Sequence, residues 1–171
     1  QRVSPTAKDL DDAVVVKKLD NGNYQLGVHI ADVSHYVKPD TELDKEARAR
    51  GNSVYLPGHV IPMLPEVLSN QACSLLPDVN RLAMGCVIDL DHEGRRLNTR
   101  LAKVAIKSHA RLTYEQVAKM LTGDEDIPHW FKQSLSALDS CAKALRGRRV
   151  ADGTIILRSH ETKFQFGDNG E

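Results

Sequence analysis

Residues 13–31 read AVVVKKLDNGNYQLGVHIA, and this stretch decides the fold class. A β-branched run over residues 13–19 ends at the turn DNGN, residues 20–23. After the turn, residues 24–31 alternate apolar side chains with polar or small ones. A period of two around an Asn-Gly turn is typical of two antiparallel strands. The sequence therefore predicts a β-hairpin, and with it a sheet, near the start of the chain.

Downstream of the hairpin, the sequence predicts a helix, an irregular segment and two more strands. Residues 41–50 have acids in the first turn and arginines in the last, followed by Gly51, which indicates a short helix. Four prolines within residues 52–80 exclude a long helix or a central strand there. Residues 81–89 and 97–108 flank a turn and are expected to form strands.

Two helices and two short strands are predicted for the last third of the chain. The capping box Thr113-x-x-Gln116 opens a helix over residues 114–121, and a second helix begins near Pro128. The apolar stripe of this second helix indicates core packing and consists of Phe131, Leu135, Leu138, Ala142 and Leu145. Strands are expected at residues 154–157 and 163–166. The predicted fold class is α+β, a mixed and mainly antiparallel sheet with flanking helices.

Composition excludes several classes of protein. The 171 residues suffice for one domain with its own core. With 41% hydrophobic and 27% charged residues, the chain is neither a disordered tail nor a membrane protein, and no apolar run approaches the ~20 residues that span a bilayer. Residues 1–8 lack the apolar centre of a signal peptide. The three cysteines are odd in number and form no CxxC pair, so we expect buried thiols in a reducing compartment, the cytoplasm.

Charge is segregated along the chain although its net value is zero. Residues 94–114 carry six bases and no acid, and residues 143–158 carry five bases against Asp152 alone. Such segregation suits a polyanion that is held by bases while acids bind metal at one point on it. Two solvated faces would give the same pattern, so charge alone leaves both interpretations open.

The cluster Asp9-Leu10-Asp11-Asp12 runs directly into the first predicted strand. In an extended backbone Asp9 and Asp11 share a face while Asp12 points away, but a bend at the strand entrance lets all three carboxylates converge. Convergent carboxylates repel each other, and a cation offsets that cost. Hard oxygen ligands with room for water and phosphate suit Mg²⁺ or Mn²⁺. A solvated turn is the alternative, because a lone DxDD is a weak signal.

Seven blocks of sequence resemble one known family and keep its order. They read AKDLDDAV at residues 7–14, VHIADVSHYV at 28–37, LDKEA at 43–47, RGNSVYLP at 50–57, VIPMLPEVLSN at 60–70, CSL at 73–75 and SHARLTY at 108–114. These blocks are similar to the opening of the RNB domain, the catalytic domain of ribonuclease II and ribonuclease R, with ribonuclease R the nearer. The resemblance implies that residues 1–171 form a single partial RNB domain, roughly its N-terminal half. Residues 1–6 are atypical of the family, and the C-terminal half of the domain is expected to be absent.

The resemblance implies a hydrolase of RNA degradation. The family's activity is processive 3′→5′ exoribonuclease cleavage of single-stranded RNA to nucleoside 5′-monophosphates. The family's catalytic and metal-binding aspartates map onto Asp9, Asp11 and Asp12, which would hold Mg²⁺ (or Mn²⁺). The aromatic residue that stacks on the RNA 3′ end maps onto Tyr55. Neither an organic cofactor nor a membrane is implied.

Three departures from the family pattern bear on activity. The family has a further aspartate six residues before the one matched by Asp9, where this chain has Val3. Leu157 stands where ribonucleases II and R have a phenylalanine of the 3′-end clamp. The family's catalytic arginine would lie beyond Glu171. We therefore expect little or no turnover from the isolated chain, and keep a second hypothesis, a non-catalytic truncated or degenerate RNB module that binds RNA or a partner.

Overall fold

The chain folds into a four-stranded antiparallel sheet, a two-stranded hairpin and flanking helices. The structure, a computed structural model, describes residues 8–56, 59–124 and 126–157. The strands are β1 (Asp12–Lys18), β2 (Tyr24–Ala31), β3 (Val54–Leu56), β4 (His59–Ile61), β5 (Asn80–Leu90) and β6 (Arg96–Lys107). The helices are α1 (Val33–Tyr36), α2 (Glu42–Arg50), α3 (Tyr114–Thr122) and α4 (His129–Ala151), with a short π-helix at Val67–Ala72. The large sheet has the order β1-β2-β5-β6, and β3 pairs with β4. The predicted α+β class is confirmed.

The hairpin predicted from residues 13–31 forms as expected. β1 pairs with β2 along its whole length in antiparallel register. Gly22 has a φ of +84°, a conformation that glycine adopts freely and other residues avoid. Oδ1 of Asn21 accepts a hydrogen bond from the N–H of Asn23 at 3.0 Å and closes the turn. The turn therefore sets a register that carries Asp12 to the far end of the hairpin, opposite Ile30.

The predicted helix ends are also confirmed. Thr41 caps α2, because its side chain accepts a hydrogen bond from the N–H of Asp44 at 3.3 Å. Thr113 and Gln116 form the predicted capping box of α3, and Gly123 ends that helix with a φ of +88°. Among the helices of the described residues, none has the length and apolar content to cross a membrane.

Within the part of the chain that the structure describes, two small cores lie on opposite faces of the sheet. Side chains alternate along a strand, so Tyr24 and Ala31, at even and odd positions of β2, point to opposite faces. On one face, the first core consists of Val16, Tyr24, Leu90, Ala137 and Cys141, the last two from α4. On the other face, the second core consists of Ala31, Cys73 and Leu75. Helix α4 thus covers the sheet near the hairpin turn, and residues 73–75 cover the opposite face where β1 begins.

The segment over residues 52–80 contains more regular structure than predicted. It holds β3, β4 and the π-helix. All three elements are short and lie between successive prolines, which exclude long elements but leave room for a few residues of strand or helix. The prediction of an irregular crossing segment was therefore wrong for these three stretches.

Predictions for the last third of the chain were partly wrong. Residues 154–157 form no strand, and the side chain of Leu157 is 87% exposed. A strand needs a neighbour for its backbone hydrogen bonds, and these residues pair with no strand of the described chain. The expected strand over residues 163–166 lies outside the described residues. On α4, Ala142 is exposed and the adjacent Cys141 is buried in its place.

Candidate active site

The acidic segment leads from residue 8 into β1 and is held from two sides by backbone hydrogen bonds. The carbonyl of Asp11 accepts a bond from the N–H of Ala31 at 3.0 Å, which ties the segment to the end of β2. The carbonyl of Leu10 accepts a bond from the N–H of Leu75 at 2.8 Å, which ties it to the second core. Asp12 is the first residue of β1. The acids therefore lie at the strand entrance, where the sequence predicts them.

Tyr55 and Asp9 meet at this entrance although 46 residues separate them. The Tyr55 hydroxyl donates a hydrogen bond to Oδ2 of Asp9 at 3.2 Å. Tyr55 lies on β3 and is 66% exposed, so its ring faces solvent while its hydroxyl is held. Partial burial raises the pKa of Tyr55 above 10.0, and the charge of Asp9 and the bond to it raise this pKa further. An aromatic face thus stands directly beside the carboxylates.

Asp11 experiences the repulsion among the three acids. Partial burial raises the pKa of Asp11 above its usual value of 3.8, and the charges of Asp9 and then Asp12 raise it further. All three influences disfavour the ionised carboxylate, and no lysine or arginine is among them. Described side chains therefore leave the negative charge of Asp11 without compensation, and this is a condition that favours a bound cation.

The donor chemistry of the segment fits Mg²⁺ or Mn²⁺. Carboxylate oxygens are hard ligands, and Mg²⁺ is usually bound by one or two carboxylates together with waters and substrate phosphates. Within residues 8–56, 59–124 and 126–157, no three His, Cys, Asp or Glu side chains are arranged to enclose a metal ion. The predicted convergence of Asp9, Asp11 and Asp12 on one point is therefore not found among these residues, and a cation at this segment would need water or phosphate to complete its coordination. Asp9, Asp11 and Asp12 stay the predicted ligands, and Val3 lies outside the described residues.

Ser74 is a site residue that the sequence pattern did not single out. Its side chain is fully buried, and its hydroxyl bonds to the main chain on both sides of Asp9. The two partners lie 64 and 66 residues away, so no local pattern predicts the contact. Its place in the block CSL was the only sequence signal.

Several bases of the two basic stretches are engaged in ion pairs. The buried Asp32 accepts hydrogen bonds from the Ser34 hydroxyl and from Lys103, and these contacts, the first being the stronger, hold the pKa of Asp32 below 3.8. The ion pairs made by bases of the two stretches are Arg95–Glu93, Arg100–Asp89, Lys103–Asp32, Lys143–Asp139 and Arg148–Asp152. Arg146 and Arg149 have no ion-pair partner among the described residues. The solvated-face interpretation therefore accounts for the paired bases, whereas Arg146 and Arg149 are available to a polyanion.

Comparison with known proteins identifies the family to which this fold belongs. The family model of the RNB domain matches residues 3–171. The chain belongs to the RNB domain family. Ribonuclease R 1 of Lactococcus lactis subsp. lactis (strain IL1403) is 57% identical over 167 residues, which are 96% of this chain and 20% of that protein. The chain thus spans about a fifth of the length of this curated relative.

Solved structures of the family share the fold. Mycoplasma genitalium RNase R, solved with double-stranded RNA and with ribose-methylated single-stranded RNA, matches with a TM-score of 0.91 over 97% of this chain. The identities are 40% and 39%, and the matches cover 30% and 26% of those chains. Yeast Ssd1, described as a pseudonuclease, matches at 25% identity with a TM-score of 0.70 over 82% of this chain and 17% of its own. The family resemblance inferred from the seven blocks is confirmed.

Replacing Asp11 by Asn is expected to raise the free energy of unfolding at neutral pH when divalent metal is absent. The amide removes a charge that burial, Asp9 and Asp12 disfavour. A carboxylate whose pKa is raised by folding destabilises the folded state at high pH, and this penalty vanishes once the pH is below the unfolded value. The gain should therefore shrink as the pH falls toward about 4 and be absent below it, as urea denaturation in EDTA can measure.

Asp126→Asn provides the control for this measurement, because Asp126 is an exposed acid between α3 and α4. It should not reproduce the gain at neutral pH. An Asp11→Asn chain that is less stable than the wild type at neutral pH would contradict the electrostatic account.

Proposed function

We propose that this chain forms the metal-binding part of a metal-dependent 3′→5′ exoribonuclease site. The proposal is carried by the 3.2 Å hydrogen bond from the Tyr55 hydroxyl to the Asp9 carboxylate. This bond sets an exposed aromatic face next to carboxylates whose charge is not offset at Asp11. A nuclease that removes a terminal nucleotide can use both elements side by side, the ring to stack on the base and the carboxylates to hold a metal at the phosphate.

Each predicted site residue has a role in this proposal. Asp9, Asp11 and Asp12 would hold Mg²⁺ (or Mn²⁺), which, when bound, lowers the pKa of a coordinated water and offsets charge on the phosphate. The Tyr55 ring would stack on the terminal base, an interaction worth about 1–3 kcal/mol per base and tolerant of sequence. The hydrogen bond between Tyr55 and Asp9 would fix the stacked base relative to the acids. This chemistry needs no organic cofactor.

Similarity to ribonuclease R supports RNA as the substrate. The Mycoplasma genitalium protein was solved with RNA, and this chain shares its fold over 97% of its length. We propose single-stranded RNA, because stacking on Tyr55 requires an unpaired terminal base, and processive release of nucleoside 5′-monophosphates. The free cysteines Cys73, Cys86 and Cys141 suit a reducing compartment, for which we propose the cytoplasm.

A non-catalytic module that binds RNA or a partner is the second candidate. Yeast Ssd1, described as a pseudonuclease, shares this fold. Leu157, which matches a stacking phenylalanine of the family, has no aromatic face, and Val3 has no carboxylate. The non-catalytic module would bind RNA without hydrolysing it. The rate of RNA hydrolysis therefore distinguishes the two candidate functions.

Hydrolysis can be followed as shortening of 5′-labelled poly(A) from its 3′ end in Mg²⁺. We expect slow shortening at most from the 171-residue chain, because Val3 and Leu157 replace a ligand and a ring of the family. Asp11→Asn should lower the rate by about 10²–10³, the usual effect of removing one preorganised electrostatic group. Asp126→Asn should leave the rate unchanged.

Shortening that persists in the Asp11→Asn variant would contradict the proposed site. RNA binding without any Asp11-dependent shortening would favour the non-catalytic module.

Arg146 and Arg149, which lie on α4, are expected to contact RNA phosphates. Both arginines are exposed. Replacing both by Gln should weaken binding of single-stranded RNA whatever its sequence. The slope of log affinity against log salt should become shallower by about 0.7 per lost contact. Lys45→Gln with Arg48→Gln is the charge-matched control, because both of these bases pair with acids within α2. An unchanged slope in the α4 variant would assign its arginines to a solvated face.

A further inference from the structure

One buried hydroxyl group, that of Ser74, bonds to the main chain on both sides of Asp9. The side chain of Ser74 is fully buried. Its Oγ donates a hydrogen bond to the carbonyl of Lys8 at 2.6 Å and accepts one from the N–H of Leu10 at 3.0 Å. A serine hydroxyl has one donor hydrogen and two acceptor lone pairs, so it makes both bonds at once. The main chain on either side of Asp9 is therefore tied to one oxygen atom.

That oxygen has a fixed place in the fold. Nε of Arg81, on β5, donates a hydrogen bond to the carbonyl of Ser74 at 2.8 Å. The N–H of Ser74 donates to the carbonyl of Gln71 at 3.2 Å. Cys73 and Leu75, the two neighbours of Ser74, are buried in the second core. The acidic segment is therefore positioned by Ser74, which is itself anchored to the sheet.

The two hydrogen bonds of the Ser74 hydroxyl hold a part of the chain that the pairing of β1 with β2 does not reach. β1 begins at Asp12, so its pairing with β2 does not reach Asp9. We infer that Ser74 is a positioning residue: its hydroxyl fixes the backbone on both sides of Asp9 and so sets where the Asp9 carboxylate meets a divalent cation. The inference rests on the proposed function, which assigns that carboxylate to a metal.

The affinity of the 171-residue chain for Mn²⁺, measured by isothermal titration, separates positioning from stability. We expect Ser74→Ala to raise the dissociation constant about 10-fold, the lower end of the effect of removing groups that orient metal ligands. Asp9→Asn should raise it at least as much, because it removes a ligand. Cys141→Ala, in the first core on the opposite face, should lower the melting temperature and leave the dissociation constant within about twofold, because sites without shared partners act independently.

A conservative variant tests whether the hydroxyl group itself, and not only the stability of the fold, sets the affinity for Mn²⁺. Ser74→Thr keeps the hydroxyl and should bind Mn²⁺ more tightly than Ser74→Ala, even where the added methyl group lowers its melting temperature. Wild-type affinity in Ser74→Ala would overturn the inference, and so would an equal loss of affinity in Cys141→Ala.

The same variants distinguish a failure of this inference from a failure of the proposed function. If Ser74→Ala binds normally while Asp9→Asn weakens binding, the inference fails and the proposed metal site stands. A wild-type chain that binds no Mn²⁺, or an Asp9→Asn chain that binds like the wild type, overturns the proposed function and the inference with it.

Discussion

Three carboxylates within four consecutive residues repel one another, and the surrounding structure holds them at one strand entrance. The hairpin register places Asp12 at the first pair of β1, and the end of β2 bonds to the carbonyl of Asp11. Ser74 clamps the main chain around Asp9, and Tyr55 bonds to its carboxylate. The raised pKa of Asp11 shows that this arrangement works against the charge of the segment. A cation would relieve that repulsion, and the proposed metal site depends on this constraint.

Local patterns in the sequence predicted the local structure, and they could not predict contacts between distant segments. The Asn-Gly turn with its alternating flanks predicted the hairpin, because Gly22 adopts the positive φ that the turn requires. Thr113 and Gln116 likewise predicted the start of α3. Residues 154–157 have the composition of a strand but find no partner strand in the described chain. The role of Ser74 depends on partners more than 60 residues away, so only the folded structure indicates it.

The fold alone does not decide whether this chain is a nuclease. Both Mycoplasma genitalium RNase R and yeast Ssd1, a pseudonuclease, match its structure. A shared fold therefore leaves the function to individual side chains. Here the acidic segment and Tyr55 lie together, while Leu157 has no aromatic face and is 87% exposed. The chain thus brings together the acids and the aromatic residue that are proposed to bind a metal and a terminal base, and Leu157 has no ring to add to them.

The acidic segment is proposed to bind a divalent cation beside Tyr55. The most direct test is the anomalous difference density of crystals of this chain grown with Mn²⁺. We expect a peak bonded to carboxylate oxygens from at least two of Asp9, Asp11 and Asp12, at roughly the 2.0–2.1 Å typical of Mg²⁺ sites. A fully occupied Mn²⁺ elsewhere in the chain, with no density at the acidic segment, would contradict the account.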